Sequence, residues 1–147
     1  MDHSKLTQIF SELVVSHHNM RMLHWNVKGH GFDKAHEKFD EYTSKLSTFI
    51  DEIAEIMLMI YEEPLDLVSA IKVVESSDNE LIYIGAGSKY PVTSAYAICN
   101  NIFESLLKTY VDASLSDDLP SDIKSKLDEH TYFFRLELRY KGRSRGI

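Results

Sequence analysis

The stretch His24–Glu55, HWNVKGHGFDKAHEKFDEYTSKLSTFIDEIAE, decides the reading of this chain. It gathers five side chains able to bind metal, His24, His36, Asp40, Asp51 and Glu55, with no thiolate among them. Nitrogen and oxygen donors in this mixture suit iron, manganese or zinc. Beyond the Gly29-His30-Gly31 reversal, Phe39, Tyr42, Leu46, Phe49, Ile50, Ile53, Ile56, Met57 and Ile60 recur in three- and four-residue steps. That periodicity predicts a long helix over about 33–62, with Asp33 a candidate N-cap and Pro64 just past its end.

On a wheel of about 100° per residue with His36 at zero, Asp40 falls near 40°, Asp51 near 60° and Glu55 near 100°. The apolar stripe occupies roughly 200–320°, so the metal-capable residues form a stripe of their own. Lys38, Lys45 and Glu52 fall between the two and read as a solvated face. At about 1.5 Å per residue, the His36/Asp40 pair stands roughly 17–22 Å from the Asp51/Glu55 pair. No close di-iron pair spans that distance. Either the chain holds two half-sites, or an antiparallel two-fold mate brings His36 and Asp40 of one subunit onto Asp51 and Glu55 of the other. Thr43, Ser44 and Ser47 lie at the midpoint of the stripe and are small enough to admit a second helix, which favours an intersubunit site, two per dimer. The plain alternative is a solvated polar face or an intersubunit salt-bridge network.

His24 lies on the preceding helix, on the same stripe as Leu6, Phe10, Leu13, Met20 and Val27. A lone histidine on an apolar face is more often a hydrogen-bonded core residue than a ligand. The short GHGF reversal and the nearness of His36 raise the case for ligation at His24, whereas His17 keeps the core reading.

The rest of the chain fits one domain. Its 147 residues include only six Gly and three Pro, and 44% are hydrophobic. The lone Cys99 excludes an intrachain disulfide framework and fits a reducing compartment. The N-terminus carries charges where a signal peptide needs an apolar run, and no apolar stretch approaches the length of a membrane span. A soluble, cytoplasmic protein with no membrane partner is the expectation. Net charge is −7, from 16 Lys and Arg against 23 Asp and Glu, which opposes a broad nucleic-acid footprint. The end RLELRYKGRSRGI is nevertheless basic, with a short tail at about 141–147.

Four helices are expected, at about 4–28, 33–62, 92–115 and from Pro120 to about 140. LDLVSAIKVVES reads as a short helix and LIYIGAGSKYP as an extended segment inside a long crossover. Two helix pairs joined by one long crossover between the second and third helices match an all-α, ferritin-like four-helix bundle. A metal site at the bundle centre is disfavoured, because such sites use Glu-x-x-His and the residues three before His36 and His130 are Asp33 and Leu127.

At these residues the chain resembles the Dps family of mini-ferritins. HWNVKGHGF, HEKFDEY and IDEIAE are similar in type and spacing to that family's ferroxidase signature, strongly over about 20–63 and modestly again in SDDLPSDIKSKLDEHTYFFRLEL. The resemblance implies that His24, His36 and Asp40 come from one subunit and Asp51 and Glu55 from its two-fold mate, with Trp25 beside the site. It further implies a homo-oligomer, a hollow dodecamer built from two-fold dimers. Such a cage oxidises Fe(II) with hydrogen peroxide or dioxygen, two irons per intersubunit site, and stores ferric mineral; zinc or manganese fit the same donors. Asp118 and Asp122 match an acidic iron-entry pore, with Asp112 and Asp117 looser candidates and helix capping the plain alternative. Glu37 and Glu41 are candidates to face the cavity. Two departures stand out: Tyr61-Glu62-Glu63-Pro64 replaces the family's Gly-Gly-x-Pro turn, and no lysine-rich N-terminal arm is present. DNA binding through the basic tail, with nucleoid association, is the alternative function, set against the acidic body. A shell with an inactive centre has no support from residues that include every ligand type.

Overall fold

A computed structural model describes residues 4–77, 83–87, 89–116 and 119–145. Helix α1 (Ser4–Asn26) runs without Gly or Pro into a two-residue strand, β1 (Val27–Lys28). Helix α2 (Phe32–Met59) follows, then α3 (Leu67–Ser76), β2 (Tyr90–Pro91), α4 (Val92–Ser114) and α5 (Ser121–Arg145). Strands β1 and β2 pair in parallel, Val27 with Tyr90 and Lys28 with Pro91. Since β1 leads into the start of α2 and β2 into the start of α4, these two helices begin at the same end. The segment between them is therefore a long crossover, and the architecture is the ferritin-like bundle expected from the sequence.

The α1–α2 reversal depends on Gly29 and Gly31, at φ 93° and 84°, a region costly for residues carrying a Cβ. Gly31, not Asp33, occupies the N-cap, and Asp33 lies in the first turn. The left-handed glycine turns the chain early enough for Phe32 to open the helix. At the other end of α2, Tyr61 N–H donates to Leu58 O (3.2 Å) and Glu62 N–H to Met57 O (2.8 Å). This is a Schellman closure whose left-handed position, φ 63°, is filled by Tyr61.

The stripes expected on α1 and α2 face the interior. Leu6, Phe10, Leu13, Met20 and Val27 are buried, as are Phe39, Tyr42, Leu46, Phe49, Ile53, Ile56 and Met57; Ile50 and Ile60 pack at its margin. Burying each large side chain stabilises the bundle by roughly 1.5–3 kcal/mol. Aromatic rings of α2, α4 and α5 interlock edge to face, Phe49 against Phe134 (5.6 Å, 89°) and Tyr42 against Phe103 (5.0 Å, 79°).

The crossover is tied to α1. Asp66 caps α3 by accepting from Ser69 N–H at 2.8 Å. Ile84 N–H donates to Asn19 Oδ1, His18 Nε2 donates to Ile84 O (both 2.8 Å), and Tyr83 stacks on His18. Helix α5 continues through Arg145, beyond the end expected near residue 140, so residues 141–145 have a helical backbone.

Candidate metal centre

His24, in the last turn of α1, and His36, in the second turn of α2, lock the two helices together. Each ring's Nδ1–H donates to the other residue's backbone carbonyl, His24 to His36 O at 2.7 Å and His36 to His24 O at 2.8 Å. The rings stack at 3.9 Å and 17°, and Phe32, one turn before His36, stacks on its ring at 4.9 Å. Because a carbonyl oxygen only accepts, both imidazoles carry their hydrogen on Nδ1 when neutral. Each Nε2 then keeps a lone pair for a metal. Both histidines are half-buried, so ring position is held by packing as well as by hydrogen bonds.

Asp40 stands one turn beyond His36 on α2, exposed, as are Asp51 and Glu55 about three and four turns further on. Thr43, between them, is half-buried and bonds its own helix through Phe39 O, while Ser44 and Ser47 are exposed. Within one subunit, no three His, Cys, Asp or Glu side chains among the described residues come together into a metal-holding group. The chain thus presents His24, His36 and Asp40 at one end of an open stripe and Asp51 and Glu55 at the other. Trp25 is exposed beside His24, with the Arg21 guanidinium 4.8 Å from its ring centroid.

Of the pore residues, Asp122 is exposed in the first turn of α5 and its Oδ1 accepts from Ile123 N–H at 3.0 Å. Asp117 and Asp118 lie outside the described residues. Asp112 is exposed on α4; Glu37 and Glu41 are exposed on α2, where Glu41 pairs with Lys38 at 3.4 Å.

The face expected to be solvated is only partly so: Lys45 is exposed and Lys38 half-exposed, but all three residues have partners on the bundle. Lys45 lies over the rings of Phe49 and Phe133, and Lys38 over Tyr42. Glu52 is half-buried, accepting from His130 Nε2 at 2.9 Å and from Lys126 at 3.2 Å. Burial works to raise the Glu52 carboxyl, but the hydrogen bonds from His130 and Lys126 outweigh it and hold it below its ordinary value. Helix α1 likewise buries Ser11, Glu12, Ser16 and Asn19. Glu12 takes hydrogen bonds from Thr109 (2.6 Å) and Gln8. The periodicity of α1 gave no sign that Glu12 and Asn19 are bonded, since Thr109 on α4 and Ile84 in the crossover are distant in the sequence.

Residues 4–135 match the model of the ferritin-like domain family. The DNA protection during starvation protein 2 of Bacillus anthracis is 33% identical over 131 residues, covering 86% of each chain. The DNA protection during starvation protein of Streptococcus suis is 26% identical over 144 residues, covering 90% of this chain and 80% of the relative. Among solved structures, a C-terminal deletion mutant of Mycobacterium smegmatis Dps superposes with a TM-score of 0.80 at 19% identity, covering 92% of each chain.

Proposed function

The chain belongs to the Dps family of ferritin-like proteins, and from that membership we propose that it is a ferroxidase and iron store. In this reading Fe(II) is the substrate, hydrogen peroxide or dioxygen the oxidant, and a hollow dodecamer the container. The active site lies between two-fold mates, with His24, His36 and Asp40 from one subunit and Asp51 and Glu55 from the other.

The observation that carries this reading is the reciprocal clamp between His24 and His36. Here both Nδ1 atoms are used on backbone carbonyls, which leaves both Nε2 atoms as ligands and orients them through backbone rather than flexible side chains. The exposed carboxylates of Asp40, Asp51 and Glu55 add hard oxygen donors that favour Fe(III) over Fe(II) and so lower the barrier to oxidation. Two irons held together deliver two electrons to one peroxide, which avoids releasing hydroxyl radical.

The test is anaerobic Fe(II) titration followed by peroxide, comparing the wild-type protein with Asp51→Ala/Glu55→Ala. The variant is expected to lose both stoichiometric Fe(II) binding and rapid oxidation while its helical content stays unchanged. Undiminished oxidation in an assembled variant would remove the assignment.

DNA binding is a second reading, favoured by the helical backbone of α5 through the basic residues Arg139, Lys141, Arg143 and Arg145. The net charge of −7 opposes it.

A further inference from the structure

Away from the proposed iron site, the bundle interior contains a three-residue hydrogen-bonded chain that iron binding does not use. Tyr110 on α4 is fully buried, and its hydroxyl is 2.7 Å from His130 Nδ1 on α5. His130, itself 1% exposed, is 2.9 Å from Glu52 Oε1 on α2 through its Nε2. Phe49 lies flat on the imidazole at 3.8 Å and 9°, fixing the plane of the ring.

The direction of the chain follows from chemistry. The Glu52 carboxylate only accepts, so His130 Nε2 carries a hydrogen. Burial lowers the pKa of His130 more than Glu52 raises it, which keeps the imidazole neutral and leaves a lone pair on Nδ1. Burial raises the Tyr110 phenol well above its usual value, with the nearby charges of Glu52 and Glu12 adding, so the phenol keeps its proton and donates it to Nδ1. A phenol aimed at a neutral base, backed by a carboxylate, is the arrangement needed to remove an electron from tyrosine inside an apolar core. Losing the electron alone would leave an unpaired buried cation, which is strongly unfavourable. Moving the proton to Nδ1 at the same time leaves a neutral phenoxyl radical beside an imidazolium paired with Glu52.

We propose that Tyr110 is a buried one-electron oxidation site that consumes hydroxyl radical formed when a single Fe(II), outside the paired site, meets peroxide, with His130 as the acceptor of its phenolic proton. The identity of the oxidant rests on the ferroxidase reading; the oxidisable tyrosine does not. Tyr110 loses one electron to the hydroxyl radical, which becomes hydroxide and takes a proton from solvent to form water. The phenolic O–H bond breaks and its proton binds His130 Nδ1. One Fe(II) then returns the electron, becoming Fe(III), as the proton moves back from Nδ1 to the phenolic oxygen. The net change is one hydroxyl radical, one proton and one Fe(II) converted to water and Fe(III). The chain reaches the surface at Glu52, a half-buried carboxylate on α2.

The test uses the assembled, full-length protein labelled with nitrogen-15 at histidine, freeze-quenched and read by pulsed electron paramagnetic resonance. In one arm Fe(II)-loaded protein receives excess peroxide; in the other, metal-free protein meets photogenerated sulfate radical. The expected result in both arms is a tyrosyl radical coupled to an imidazole nitrogen, lost in Tyr110→Phe and retained in Tyr132→Phe, a change at an exposed tyrosine. A radical that survives Tyr110→Phe, one without nitrogen coupling, or none in the sulfate arm overturns the proposal. A coupled radical in the sulfate arm alone supports Tyr110 as the oxidation site and counts against the iron reading instead. If Tyr110→Phe does not fold, the nitrogen coupling in the wild-type protein decides.

Discussion

If the site is shared between subunits, two inactive variants should restore each other. The first variant, His36→Ala/Asp40→Ala, lacks one half-site, and the second, Asp51→Ala/Glu55→Ala, lacks the other. Each alone leaves every site of its own dimer incomplete. Because the half-sites stand roughly 17–22 Å apart along one helix, neither subunit repairs itself. In a dimer containing one of each, one site combines His36 and Asp40 of the second variant with Asp51 and Glu55 of the first, and is complete; the other lacks all four residues. With equal, random mixing, half of the dimers are mixed and one of their two sites is whole, so about a quarter of all sites recover. Co-expression with distinguishable affinity tags, tandem purification of mixed oligomers and stopped-flow Fe(II) oxidation would measure this. Purified mixed dimers should reach about half the wild-type rate per site. Mixed oligomers no faster than either parent would refute an intersubunit site, and so would a single variant that retains the wild-type rate.

Tyr61→Gly should stabilise the protein. Holding a side chain in the left-handed region costs about 1–2 kcal/mol, and the entropy glycine adds to the unfolded chain offsets part of the gain, leaving about 0.5–1 kcal/mol. A urea midpoint at or below wild type would contradict the strain assigned to Tyr61. Stability should also fall as pH drops below about 6.5. Burial lowers the His17 imidazole, with Arg21 and His18 adding, and burial lowers His130 against the pull of Glu52. Both are neutral in the folded state above that pH; below it the unfolded chain takes up the protons first, so stability present at higher pH is lost. Urea midpoints at about pH 7.5 and 5.5 should show the drop, and His17→Gln should lessen it; a midpoint that rises on acidification would reverse the sign. For the DNA reading, gel shifts across a salt series should weaken steeply with salt in the full chain and disappear on removal of residues 141–147. Binding unchanged by the truncation would eliminate the basic end as the contact.

The bundle was legible in the sequence because its information is local. Leu6, Phe10, Leu13 and Met20 on α1, and Phe39, Tyr42, Leu46 and Phe49 on α2, repeat with the helical period, so their burial follows from spacing. The Gly29 and Gly31 reversal was legible for the same reason. Less was visible where backbone chemistry departs from habit. Asp33 has the residue type of an N-cap, yet Gly31 takes the position because left-handed backbone is needed there. Glu52 falls between the polar and apolar stripes on the wheel, and only the packing of α5 shows that it is bonded rather than solvated.

By itself, then, the sequence determined which residues form helices, which faces are apolar, and that the metal-capable side chains divide into two pairs too far apart for one subunit. All of these are consequences of a fixed rise and twist per residue. Tertiary structure decided the chemistry at individual atoms. Whether His24 and His36 offer Nδ1 or Nε2 depends on carbonyls twelve residues away across the reversal. Whether His130 is a core ring or a proton acceptor depends on Tyr110 and on Glu52, 78 residues distant. Helical periodicity places a side chain on a face, but only the neighbouring helix determines which of its atoms remains available.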